Sequence, residues 1–268
     1  MTQGYLLIAL GRQYIHESKL FLDTLRKVGD TRPVSLLIHP DDTEYAQSLN
    51  VFDRLILFTP NNQIWNDCTT SFEKYCLYPR LHLMGYLVYD ETIVVDSDVL
   101  VQSNPEHVWN YLSNQPIPVR MLGRVNDPSW HWGHIDDVSA AYKKKVPHVH
   151  GGFFYLRNTV QIDGFFNYAM EVFYRYDEYH CQRAFRGGKV DEILFAITHA
   201  YFNLNPIEFD EYPIMTFNYM PFLMIPSKLQ TEGGQNKLMQ DYPPFVHMFD
   251  KMQSNSFKIL YGKIMNYV

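Results

Sequence analysis

Glu91-Thr92-Ile93-Val94-Val95-Asp96-Ser97-Asp98-Val99-Leu100-Val101 decides how this chain is read. A β-branched apolar run stops on two carboxylates and then resumes. Hydrophobic residues at consecutive positions mark a strand buried on both faces, as in the middle of a parallel sheet. Asp96 and Asp98 stand where such a strand ends, so a turning chain can aim both into one crevice. In open α/β sheets the crevice beyond the carboxyl ends of the strands is where ligands bind. Paired carboxylates beside a core are costly to keep ionised without a cation. A divalent, oxygen-preferring ion, Mn²⁺ or Mg²⁺, resolves that cost and would in turn hold a diphosphate. Alone, Asp-x-Asp reads equally as a solvated turn or as a helix cap at Asp98. The apolar runs on both sides favour the buried site, because a turn aspartate does not need them.

Upstream, Tyr5–Leu10 reads as a buried strand closed by Gly11. Phe21, Leu22, Leu25 and Val28 form a helical stripe over Glu17–Val28, with Gly29 as its stop. Val34–Ile38 and Leu55–Phe58 are further strands. This β-α-β-α-β rhythm predicts a parallel sheet flanked by helices. No GxGxxG follows the first strand, which disfavours a dinucleotide site. Ser71–Met84 is expected to be partly helical and limited by Pro79. It carries Lys74 and Arg80, cations that could meet a phosphate or a sugar, or simply face solvent.

Downstream, Pro116–Met121 reads as a strand. The polar, aromatic loop after it gathers Asn126, Asp127, Trp130, His131, Trp132 and His134, as a carbohydrate platform or a packed lid would. His150-Gly151-Gly152 allows close backbone approach to a ligand before a strand. Val160–Tyr176 is an aromatic helix, and Asp191-Glu192 opens another, where an acid is ordinary helix-start chemistry. Pro243–Lys251 holds a short late strand ending on His247.

The 268 residues, 46% hydrophobic and 16% aromatic, suit one large α/β domain. The net charge of −6 argues against a nucleic-acid partner. No segment approaches membrane-spanning length, and the start lacks signal-peptide character. The three cysteines have no metal-type spacing and fit a reducing compartment, so a cytoplasmic location is expected. Oligomeric state is open.

In this order, the motifs resemble those of the metal-dependent, nucleotide-sugar glycosyltransferases of GT-A fold, and within them family 8, the glycogenin and galactosyltransferase-like group. The resemblance runs from the first strand to about residue 251. It implies a single catalytic domain with a mostly parallel Rossmann-like sheet and a smaller acceptor-side subregion. Residues 1–122 would bind nucleotide, and 123–268 would bind acceptor and supply the late metal ligand. Ala9, Leu10, Gly11 and Tyr14 would receive uracil and ribose. Lys74, or alternatively Arg80, would contact the donor. Val94-Val95-Asp96-Ser97-Asp98 matches the metal strand, so Asp96, Asp98 and late His247 would bind Mn²⁺ or Mg²⁺, with Ser97 beside the donor. His150-Gly151-Gly152 matches the sugar-side strand, with His150 in place of the usual Asn. Asp191-Glu192 matches the helix start that meets sugar and acceptor. Lys251, or Lys258, would hold the diphosphate, although the spacing after His247 departs from the family pattern.

The implied reaction moves a hexose from a UDP-sugar to a sugar, glycan or protein hydroxyl, with retention. Asp191 would orient sugar or acceptor, and Lys74 would add positive charge near the diphosphate. A sugar-phosphate nucleotidyltransferase would want a Gly-rich basic loop, of which Gly11-Arg12-Gln13 is a poor version. A phosphotransferase or hydrolase would want a nucleophilic Asp near the N-terminus. A non-catalytic nucleotide-sugar-binding module would not need Asp96, Asp98 and His247 intact.

Overall fold

A computed structural model describes residues 1–60, 62–125, 129–130, 133–183, 187–209, 212, 214–217, 243–248 and 255–267. The first apolar runs form β1 (Gln3–Ala9), β2 (Val34–Ile38) and β3 (Arg54–Leu57). The stretch around the two aspartates forms β4 (Glu91–Val95) and β5 (Val99–Val101). Next come β6 (Val119–Arg124), the short β7 (Ser129–Trp130) and β8 (Gly133–His134), and the long β9 (His148–Arg157). The last strands are β10 (Ile207–Glu208), β11 (Met215–Phe217) and β12 (Phe245–His247).

Seven strands share one sheet in the order β10-β6-β9-β4-β1-β2-β3. β1, β2 and β3 run parallel, as do β6 and β10, while β9 is antiparallel to β6. The chain is thus α/β with a mostly parallel central sheet, as the strand–helix alternation predicts. β5 leaves this sheet for a second one, ordered β11-β12-β5.

The chain divides into two units. One comprises Gly4–Leu57, Val95–Gln115 and Tyr212–Val268. Its first helix, Arg12–Lys27, buries Ile15, Phe21, Leu22 and Leu25 at helical spacing and starts earlier than the apolar stripe alone indicates. Gly29 follows with φ at 86°, in the left-handed region that glycine adopts without strain. The core centres on Tyr5, whose ring meets Phe21, Trp109 and Phe245 edge-on. Its hydroxyl donates to Asp30 and accepts from Trp109 Nε1, each at 2.7 Å. A final helix, Asn255–Tyr267, which the sequence pattern did not reveal, adds Ile264 to a cluster with Leu100, Val246 and Met248.

The other unit comprises Met1–Gln3, Phe58–Val94 and Pro116–Glu211. Here β6 and β9 pair with a register shift between Met121 and Leu122. The helices Val160–Tyr174 and Asp191–Phe202 pack on each other, and the second packs on β9. Phe154, Phe165 and Phe166 surround Phe195, which accounts for the aromatic content of this stretch. The segment before β4 winds as a π-helical turn, Glu73–Leu77, followed by an α-helical turn, Tyr78–Leu81, that begins with Pro79 near its start. The two turns run on without a break, with Tyr78 N–H donating to Glu73 C=O, so Pro79 sits inside a continuous winding just past the π turn.

Candidate active site

Two groups of site residues form, one in each unit. In the unit containing β5, the chain turns tightly between β4 and β5, with Val99 N–H donating to Asp96 C=O at 3.3 Å. β12 then pairs antiparallel with β5, in a register that sets His247 opposite Val99. Met248 N–H donates to Asp98 C=O at 3.0 Å, and Gln102 N–H to Pro244 C=O at 2.8 Å, so both ends of the pairing are held. This brings His247 Nε2 to 3.1 Å from Asp98 and 3.6 Å from Asp96. One ligand atom from each of the three residues lies within 4.8 Å of the other two. His247 is 5% exposed, whereas the two carboxylates reach solvent.

The donor set fits a hard divalent cation. With bonds of about 2.1 Å, neighbouring ligands in an octahedral shell lie about 3 Å apart and opposite ones about 4.2 Å. Two carboxylates and one imidazole suit Mn²⁺ or Mg²⁺ and leave positions for other oxygen ligands. Among the described residues, Asp96, Asp98 and His247 are the group of this kind.

Ser97, between the aspartates, is buried and donates its hydroxyl to Glu17 Oε2 at 3.1 Å. Glu17 lies on the helix Arg12–Lys27 and is 3% exposed. Its other oxygen accepts from Gln13 Nε2 at 3.0 Å. Burial raises the Glu17 carboxyl above its ordinary range, bonds from Gln13 and Ser97 lower it, and the nearby Asp98 charge raises it. Sequence reasoning missed Glu17, although an acid two residues after Ile15 and four before Phe21 lies close to the buried stripe. Of the residues expected to receive uracil and ribose, Ala9 ends β1 and Gly11 follows at φ 136°, where a side chain would be strained. Tyr14 is 46% exposed, and its ring lies against Gly11.

In the other unit, Arg80 Nη1 donates to Asp191 Oδ2 in a largely buried ion pair. Glu192 Oε1 accepts the Gly151 N–H at 2.9 Å. A Cβ on Gly151 would sit 2.6 Å from Asp191 Oδ2, so this close approach requires glycine. His150 is buried, and its Nδ1 accepts the Gly152 N–H at 3.1 Å. Asp191 and Glu192 occupy the first turn of their helix, but Val190 stands at the cap position and makes no side-chain bond there. These acids therefore bind Arg80 and the glycine strand, and helix capping does not account for them. Lys74 is placed differently, with its ammonium 5.3 Å from the centroid of the Trp65 ring.

Lys251 lies outside the described residues, and Lys258 is exposed on the last helix. In the loop expected as a carbohydrate platform, Asn126, Asp127, His131 and Trp132 also lie outside them, while Trp130 and His134 fall in β7 and β8. No helix among the described residues is long and apolar enough to cross a membrane.

No family model matches the sequence, and no curated protein matches it. Solved structures do. Galactosyltransferase LgtC, in complex with donor and acceptor sugar analogues, superposes with a TM-score of 0.58 at 10% identity, over 98% of this chain and 96% of that one. Mouse xyloside xylosyltransferase 1 in its apo form gives 0.57 at 9% identity, over 92% and 97%. The glycosyltransferase GlyE of Streptococcus pneumoniae TIGR4 gives 0.56 at 11% identity, over all of this chain and 61% of that one. Identities this low speak to architecture alone. Over nearly its whole length, the chain has the GT-A glycosyltransferase fold that its sequence motifs resemble.

Proposed function

We propose that this protein is a metal-dependent glycosyltransferase that moves a hexose from a UDP-sugar to an acceptor hydroxyl, with retention of configuration. The observation that carries the reading is the assembly of Asp96, Asp98 and His247 at the ends of β4 and β12 in a GT-A fold. Asp96, Asp98 and His247 would hold Mn²⁺ or Mg²⁺, whose charge would offset the charge gathering on the departing diphosphate. The residues that hold it are fixed in advance by the turn and the strand register, and preorganisation of this kind is what makes charge stabilisation effective.

Ala9, Leu10, Gly11 and Tyr14 would take the nucleoside, with Ser97 beside the donor. His150, Gly151, Gly152, Asp191 and Glu192 would serve sugar and acceptor. Asp191, with one oxygen engaged by Arg80, is suited to orienting a hydroxyl. Lys74 and Lys251 remain proposed phosphate contacts. Nucleotide would be bound by residues 1–122 and acceptor by 123–268.

Thermal melting with UDP, GDP and dTDP, each with and without Mn²⁺, tests the donor. A ligand that binds only the folded state raises the melting temperature by mass action. The reading expects a shift with UDP that requires Mn²⁺, followed by Mn²⁺-dependent hydrolysis of a UDP-sugar. A shift with GDP or dTDP alone changes the donor, and no shift with any nucleotide overturns the nucleotide-sugar donor reading.

A further inference from the structure

We propose that Glu17 is a positioning residue of the cation site, holding the Asp96–Asp98 turn through Ser97 and adding its charge behind the ligands. The inference rests on the cation reading above and extends it to the helix Arg12–Lys27, which the metal ligands themselves do not include.

Three observations carry it. First, the helix holds the turn at Ser97 and, separately, the far end of β5 at Val101. Glu17 takes the Ser97 hydroxyl at 3.1 Å, and Thr24, two turns later, takes the Val101 N–H at 3.0 Å. Asp98 directly follows Ser97, so the turn that carries it is tied to this helix as well as to β12. Second, Glu17 is 3% exposed, and an ionised carboxylate taken out of water is expensive unless compensated. Gln13 and Ser97 each give one of its oxygens a hydrogen bond, while Asp98 is close enough for its charge to add to the cost. Apolar or amide side chains would fill such a helix position without that repulsion. A cation beyond the turn would favour the ionised carboxylate further. Third, Glu17 is not one of the clustered ligand atoms, so its part is to orient and to supply charge at one remove. Such outer residues typically change metal affinity by about 10- to 100-fold.

The test uses Mn²⁺ alone, titrated into the full chain and followed by the electron paramagnetic resonance signal of the free ion, together with cation-free melting temperatures. Asp98→Ala is the reference and should abolish binding. Glu17→Gln keeps an acceptor for Ser97 but removes the charge. It should weaken Mn²⁺ about tenfold while leaving the cation-free melting temperature unchanged or higher. Thr24→Val, which loosens the same helix without touching charge, should lower the melting temperature and leave Mn²⁺ affinity near wild type. Wild-type affinity in Glu17→Gln, with none in Asp98→Ala, overturns the role of Glu17 and leaves the cation site standing. Affinity lost in step with melting temperature in both Glu17→Gln and Thr24→Val makes Glu17 a strut and also overturns it. Wild-type affinity in Asp98→Ala overturns the cation reading itself.

Discussion

The turn at Asp96–Asp98 and the helix start at Asp191 both fix carboxylates on well-anchored backbone, yet they manage the charge in opposite ways. Around Asp98 the fold collects a second aspartate, an imidazole and, through Ser97, a buried glutamate. Around Asp191 it supplies the counter-charge itself, from Arg80, and it ties Glu192 to the backbone of Gly151. Acids gathered with an imidazole call for a cation from outside, whereas an acid on a guanidinium is complete within the protein. On the proposed reading, the first arrangement would take an ion and the anion that follows it. On the same reading, the second would stay in place while acceptor hydroxyls come and go.

The largest expected effect tests the first half of that contrast. Asp98→Ala should reduce Mn²⁺ affinity and UDP-sugar turnover by roughly 100-fold or more, since a direct ligand should matter at least as much as an outer residue. The protein should stay folded, as seen by circular dichroism and melting. Unchanged Mn²⁺ affinity, read by calorimetry, would remove the distinction between the two regions.

Arg80→Ala probes the other half and should act mainly on stability. It strands Asp191, whose side chain is 4% exposed, and breaking a buried pair costs about 3–5 kcal/mol. Chemical denaturation should record that loss with Mn²⁺ affinity unaltered. A variant as stable as wild type would show that Asp191 does not depend on this partner.

The opposite end of the Asp191 helix predicts a pH effect of about the same size. His199 is fully buried, its Nδ1–H donates to Phe195 C=O at 2.8 Å, and burial lowers its pKa to about 4. The folded state therefore prefers neutral histidine. The stability this gives is complete above the ordinary value of 6.5 and is lost as pH falls towards 4, a change of about 3 kcal/mol. Urea midpoints at pH 7 and 4.5 should differ accordingly, and His199→Leu should flatten that dependence. An equal slope in the variant would assign acid sensitivity elsewhere.

The smallest effect is expected from Gly151→Ala. The added methyl would meet Asp191 Oδ2 at 2.6 Å and force the ion pair to shift. Overpacking of this kind costs about 1–3 kcal/mol. Melting should reveal it, with acceptor-side kinetics affected more than Mn²⁺ affinity. A neutral result would mean that the close approach of β9 to Asp191 is slack.

Much of this was legible from local sequence. The apolar run broken by Asp96 and Asp98 became two strands and a turn, and the late run ending on His247 became β12. Strand burial, the helical stripe ending at Gly29 and the α/β alternation depend on neighbours a few residues away, which is why pattern reading finds them. Asp191 and Glu192 were placed at a helix start, but capping chemistry could not distinguish them from any other opening acids. Glu17 gave a weaker signal, because an acid on a helix is ordinarily a solvated one. The last helix, Asn255–Tyr267, lies beyond what the sequence pattern predicts.

The sequence by itself determined which residues were chemically able to form a site: two aspartates at a strand end, a late histidine, glycines before a strand, and two acids opening a helix. Only the tertiary structure decided their company. It moved β5 out of the main sheet to pair with β12, and that register brings His247 to Asp98 across about 150 residues of chain. It also chose Arg80 as the partner of Asp191 and Ser97 as the partner of Glu17. Periodicity carries information about faces and ends of elements. Which ends meet is fixed by long-range pairing and by the need to satisfy buried charge, and neither is written in any local stretch.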